Sequence, residues 1–212
     1  MKKIAVTGQI RSDLGKQAAK AARREQQIPC VLYGGGEVVH FMTTHKQVKD
    51  LIYTPDFKIA EIQIDGASHR SIVKDVQFHP VTDEIVHIDF LRLVDGTPIK
   101  VELPVRFKGI APGVKSGGKV MQKVRRIKVK ALPEKLVDEL RLDVSNLNMG
   151  DSIRVRDIEA IEGMEILNSP GIPIATVEVP RAMRNLTATD IDGEDEESEE
   201  GAEGEEEQTG EE

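Results

Sequence analysis

A chain of 212 residues, 39% hydrophobic, can bury one large core or two small ones. With five Phe, two Tyr and no Trp, those cores must be built from Ile, Val, Leu and Ala, which excludes recognition by extensive aromatic stacking on bases. The formal charge of −8 hides a division: 14 of the 37 acidic residues lie from Asp190 onward with no Lys or Arg among them, leaving 29 basic against 23 acidic residues before that point.

One cysteine, Cys30, rules out an intrachain disulfide and a multi-thiolate zinc site and fits a reducing, cytoplasmic setting. Gly8, Gln9 and Arg11 break the stretch after Met1-Lys2-Lys3, and no long apolar run follows, so neither a signal peptide nor a membrane span is expected.

Residues 4–10 alternate as a short strand, Asp13-Leu14-Gly15 breaks it, and the Ala-, Lys- and Arg-rich stretch that follows reads as a helix ending before Pro29. Residues 30–33 are an apolar run closed by a turn at Gly34-Gly35-Gly36, and residues 38–42 resume an extended pattern. Thr44 is placed to cap a short helix over residues 45–52, with Pro55 marking its end. Strands over residues 59–64, 69–77 and 85–93, with a turn at Asp65-Gly66, read as an antiparallel meander.

A turn signal at residues 94–98 separates this region from one with no convincing helical period, where strands are expected over residues 101–107, 124–131, 140–144, 153–155 and 172–179. Seven of the ten prolines lie at or beyond Pro98, mostly at segment ends, so this half reads as a small all-β domain, a sandwich or open barrel, with a long loop over residues 109–118. The expected division is residues 1–93, 94–181, and a linker with an acidic tail over 182–212. That tail cannot bury enough apolar surface to offset its ordering entropy and is expected to be disordered.

Three constellations carry chemistry. On the proposed helix Lys16, Lys20 and Arg23 or Arg24 fall at i, i+4 and i+7 or i+8, with Arg11 just ahead. They form a cationic stripe that suits phosphates as well as it suits a plain solvated face. In extended strands Gln77 and His79 share one face, as do His87 and Asp89, with Val76, Phe78, Ile88 and Phe90 opposite. Paired as neighbours, the polar residues would suit base edges and 2′-hydroxyls of RNA; a solvated sheet face or a metal site on His79, His87 and Asp89 are the other readings. Lys115, Lys119, Lys123, Arg125, Arg126, Lys128 and Lys130 crowd 16 residues, either protecting an edge strand or making a second RNA contact. There is no G-x-S-x-G motif, Walker loop or dinucleotide fingerprint, so neither catalytic residues nor a cofactor is expected.

The stretches Gly15 to Arg23, Ile28 to Gly35, Asp75-Val76-Gln77-Phe78-His79-Pro80 and His87-Ile88-Asp89-Phe90-Leu91-Arg92 resemble the bacterial large-subunit ribosomal protein 25 family. Ala111 to Gly118 and Met149 to Ile153 extend the likeness to its longer form, the general stress protein CTC type. The resemblance covers about residues 4–180. It implies a mainly β protein with a few helices: an N-terminal small antiparallel β-barrel with helices that binds 5S ribosomal RNA, then an all-β C-terminal domain. It also implies an RNA site with Arg11, Lys16, Lys20 and Arg23 on phosphates and Tyr33, Gln77, His79, His87 and Asp89 on the RNA surface. The family motif usually carries more arginine where Lys20 and Ala21 stand, and Lys cannot make the bidentate fork of Arg.

A related barrel occurs in the anticodon-binding part of glutaminyl-tRNA synthetases, which bears on fold alone. The expected partners are therefore 5S rRNA, the large subunit and neighbouring ribosomal proteins, with no membrane. The alternatives are a general polyanion or stress-related protein-interaction module regulated by the acidic tail, and a metal-dependent hydrolase on the His/Asp strands.

Overall fold

The computed structural model describes residues 2–158 and 163–180; the expected linker and acidic tail lie outside them. Six strands, β1 (Lys3–Ile10), β2 (Gln27–Tyr33), β3 (Val39–Thr44), β4 (Ile59–Ile64), β5 (Ala67–Phe78) and β6 (Ile85–Arg92), close into a barrel in the order β1-β3-β2-β6-β5-β4. Two helices interrupt them, α1 (Lys16–Arg24) and α2 (His45–Ile52).

The alternation seen in the sequence explains the closure. Val6, Ile28, Cys30, Leu32, Phe41, Ile62, Ile64, Ile88 and Phe90 all point inward, and α2 adds Val48 and Leu51 to the same core. Burying each large side chain of this kind contributes about 1.5–3 kcal/mol. The Phe41 and Phe90 rings meet at 5.7 Å. Gly8 lets the Phe41 ring lie against the β1 backbone, since a Cβ there would sit 2.5 Å from Phe41 Cδ2.

Strands β4, β5 and β6 form the expected antiparallel meander. The barrel as a whole is mixed, because β1 runs parallel to β4 and β2 parallel to β6. Each of these seams joins strands that are distant in sequence, so no local turn signal sets their direction.

Helix α1 stops at Arg24, earlier than its composition suggests. Gln26 takes the left-handed conformation at φ 60°, and Gln27 already belongs to β2, whose Ile28 and Cys30 are buried. Core burial of a strand here outweighs helix propensity. At the other end of β2, Gly34 has φ 91° and leaves no room for a Cβ, which would lie 2.9 Å from Leu91 Cδ1. This is why a glycine turn closes that strand.

The second half holds two sheets. One has β7 (Ile99–Lys108), β9 (Arg126–Ala131), β10 (Leu140–Asp143) and β12 (Met164–Ile166) in the order β10-β7-β9-β12. The other has β8 (Lys119–Gln122), β11 (Ser152–Arg154) and β13 (Pro173–Glu178) in the order β11-β13-β8. The two sheets share one core through Leu103, Ile127, Val129, Ile153, Ile174 and Val177, the sandwich-like packing expected of an all-β half.

Sequence reading missed the short strands β8 and β12, and the loop over residues 109–118 contains one helical turn, α3 (Pro112–Lys115). Ile72, on the outside of β5, is buried in this second core, with Phe57, Leu91 and Leu93 packed against it. The barrel and the second half therefore meet through apolar contacts.

Candidate nucleic-acid interface

The outer surface of the barrel is where the strand residues singled out by sequence converge. Inward positions pair Cys30 with Ile88 and Leu32 with Phe90 across β2 and β6, so Val31, Tyr33, His87 and Asp89 face out. Across β5 and β6, Gln77 stands opposite His87 and Asp75 opposite Asp89. On the far side of β2, His40 of β3 pairs with Val31. One polar surface thus runs from β3 to β5 and carries His40, Tyr33, His87, Asp89, Asp75 and Gln77.

Its chemistry is acceptor-rich. His87 Nδ1 lies 2.7 Å from Asp89 Oδ1, so the carboxylate orients the ring and leaves Nε2 turned to other partners. Asp75 and Asp89 face each other directly, two like charges in register. Partial desolvation, with the fields of Asp89 and then Asp75 added to it, raises the Tyr33 hydroxyl above its ordinary pKa. A carboxylate only accepts hydrogen bonds, so two of them on a surface call for donors such as 2′-hydroxyls and exocyclic amines.

His79 behaves differently. It sits exposed at the end of β5, its backbone N–H donates to the Glu84 carbonyl at 2.8 Å, and its Nδ1 accepts from the turn N–H groups of Val81 and Thr82 at 3.4 and 3.3 Å. It shapes the turn between β5 and β6. Among the described residues no group of three or more His, Cys, Asp or Glu side chains is placed to hold a metal, so His79, His87 and Asp89 do not form the metal triad considered from sequence. Burial, with Asp89 nearby, raises the Cys30 thiol far above its ordinary range, which makes it an inert core residue.

Helix α1 supplies the cations. Ala22 is buried and Ala18 and Ala19 half-buried, so the alanines turn toward β2. Lys16, Lys20 and Arg23 are exposed and fall within about 60° of one another at 3.6 residues per turn. Arg23 Nε donates to the Val86 carbonyl at 3.1 Å, which anchors the stripe beside β6, one residue from His87. Arg11 is half-buried. Its Nε donates to the Asp13 carbonyl and its backbone N–H to the His40 carbonyl, both at 2.9 Å. Among the described residues none of Lys16, Lys20, Arg23 or Arg24 has a carboxylate partner.

The second basic cluster is built otherwise. β9 is an interior strand between β7 and β12, so edge protection does not explain its cations. Ile127 and Val129 are buried while Arg126, Lys128 and Lys130 face out. Lys128 lies 3.7 Å from Glu102, Lys130 3.2 Å from Glu165 and Lys123 2.9 Å from Glu178. Two residues of the polar barrel surface escaped the sequence reading of the site, His40 and Asp75. Alternation already puts Asp75 on the face of Gln77, two residues on, whereas His40 is found only through the pairing register of β3 with β2.

A closed barrel with a cationic helix, followed by a two-sheet β half, defines a modular β protein suited to binding, and the comparisons with known proteins agree. Residues 6–90 match the model of the Ribosomal L25p family, and residues 98–181 match that of the Ribosomal protein TL5 C-terminal domain. The chain is 44% identical over 186 residues to the large ribosomal subunit protein bL25 of Porphyromonas gingivalis, covering 87% of this chain and 96% of that one. It is 43% identical over 184 residues to the bL25 of Amoebophilus asiaticus, covering 87% and 93%. With the bL25 of Bacteroides thetaiotaomicron it shares 40% over 193 residues, covering 89% and 98%. The chain belongs to the bL25 family of large ribosomal subunit proteins. It is a structural constituent of the ribosome and not an enzyme.

Proposed function

We propose that the barrel half, residues 1–93, binds 5S ribosomal RNA within the large subunit. In this reading Arg11, Lys16, Lys20 and Arg23 neutralise phosphates, while Tyr33, Gln77, His79, His87 and Asp89 meet the exposed edge of an RNA helix. One observation carries it: Arg23 is bonded to the Val86 carbonyl on β6, so the cationic stripe and the polar surface of β2, β6 and β5 are contiguous.

A-form RNA presents a wide, shallow minor groove lined by 2′-hydroxyls and base edges, flanked by two rows of phosphate. Acceptors at Asp75 and Asp89 suit the donors in that groove, and cations to one side suit the flanking backbone. No chemical step is needed; the role is to hold an RNA shape.

The test is the affinity of the full chain for 5S rRNA and for a length-matched structured RNA over a salt series. A clear preference for 5S rRNA at physiological salt supports the reading. Equal affinities that fall together with salt overturn it and leave a general polyanion binder.

A further inference from the structure

We propose that the acidic segment from Asp190 to Glu212 docks on the outward stripe of α1 formed by Lys16, Lys20, Arg23 and Arg24, and so competes with RNA phosphates for it. The segment has 14 acidic residues and no Lys or Arg.

Two cation-rich surfaces are open to it, and α1 is the one on which no cation is paired among the described residues. On the second half, Arg106, Lys123, Lys128, Lys130 and Arg141 each have a carboxylate within 4 Å, while Lys115, Lys119, Arg125 and Arg126 have none among the described residues. On α1 none of the four cations has one among the described residues, and the helix has no acidic residue in its first turn. Like charges at i, i+4 repel, and Lys16 opposes the helix dipole at that end. An anion supplied from elsewhere in the chain relieves both, whereas at Lys128 and Lys130 on β9 it would have to displace Glu102 and Glu165.

Chain length permits the contact. The described chain ends at Pro180, after β13. The remaining 32 residues span up to about 110 Å when extended, against a radius of gyration of about 16 Å for a compact fold of this size. Tethering also gives the segment an effective concentration of order mM, enough to occupy a weak site. The docking stands on charge and unpaired cations alone. Its consequence, that stray RNA is excluded while a ligand that also engages the barrel surface displaces the segment, rests on the function proposed above.

The experiment compares the full chain with a chain ending at residue 189, each with and without Lys16→Gln plus Lys20→Gln, binding a short RNA duplex of non-ribosomal sequence. Removing the segment is expected to raise duplex affinity about tenfold at low salt and to lose that effect near 1 M, where the Debye length is about 3 Å. With the two lysines replaced, the gain should fall below about twofold, whereas in a Lys128→Gln plus Lys130→Gln background it should persist. An equal gain in both helix backgrounds overturns the docking in favour of diffuse repulsion, and no gain in either overturns it outright.

A second measurement titrates a synthetic peptide of residues 190–212 into the shortened chain and follows backbone amide shifts. Shifts over residues 15–24 support the site; shifts confined to β7 and β9, or none, refute it. If 5S rRNA is not preferred over the duplex by any of these proteins, the functional reading fails, while the peptide titration still decides the docking.

Discussion

Residues 16–24 and 123–130 are made of nearly the same ingredients, closely spaced Lys and Arg among small or apolar residues, yet the structure uses them in opposite ways. In α1 Ala18, Ala19 and Ala22 turn to the barrel and the cations stand without carboxylate partners among the described residues. In β9 the apolar residues are Ile127 and Val129, both fully buried, and the alternation puts Lys128 and Lys130 beside Glu102 and Glu165 on the flanking strands. A sheet sets cross-strand neighbours beside exposed side chains such as Lys128 and Lys130, whereas a single helix on a barrel leaves its outer stripe to whatever arrives from solution. Charge density alone does not identify a binding surface; the absence of internal partners is the sharper sign.

The contrast can be broken from either side. The largest expected effect is on stability in the second half: Ile127→Ala opens a cavity in a fully buried position and is expected to cost about 2–5 kcal/mol in urea unfolding. The matching change in α1, Ala22→Gly, costs about 1 kcal/mol from helix propensity.

On RNA the ranking reverses. Lys16→Gln with Lys20→Gln is expected to weaken 5S rRNA binding by about tenfold or more and to flatten the salt dependence by about two phosphate contacts. Lys128→Gln with Lys130→Gln should change affinity less than about twofold and stability by under about 1 kcal/mol, since exposed ion pairs contribute little.

His87→Ala removes the partner of Asp89 and leaves two carboxylates facing each other. About 1 kcal/mol of 5S preference should be lost, read as a smaller ratio between 5S and control RNA, with the salt slope unchanged.

The smallest effect is a pH dependence. Desolvation and then Arg92 lower the His69 pKa below its ordinary value. The unfolded chain therefore binds the extra proton first, and stability is full above the ordinary histidine pKa and declines as pH falls through it. His69→Asn should flatten that decline in thermal melts between pH 5 and 8.

Much of this was legible in the sequence because alternation and helical period are local. β1, α2, β4, β5 and β6 lie within a few residues of where the pattern puts them, and the inward set of Ile88 and Phe90 follows from parity. What was not legible depends on distant partners. The early end of α1 is imposed by β2 burying Ile28 and Cys30 against β3, and the parallel seams of β1 with β4 and of β2 with β6 have no turn to announce them. The strands β8 and β12 have four and three residues, too short for a pattern to register. In the candidate site, Gln77, His87 and Asp89 shared a face as expected and Asp75 follows from the same alternation, but His40 joined them only through register, and His79 went to a turn.

The central claim is that RNA is held by α1 together with the outward surface of β2, β6 and β5, and not by the outward surface of β7 and β9. Backbone amide hydrogen exchange of the full chain, with and without saturating 5S rRNA, tests it directly. The account predicts slowed exchange over residues 16–24, at the turn over residues 34–36 and along β5 and β6 near Gln77 and His87, with β7 and β9 unchanged. Protection confined to residues 99–131, with α1 unaffected, would contradict it.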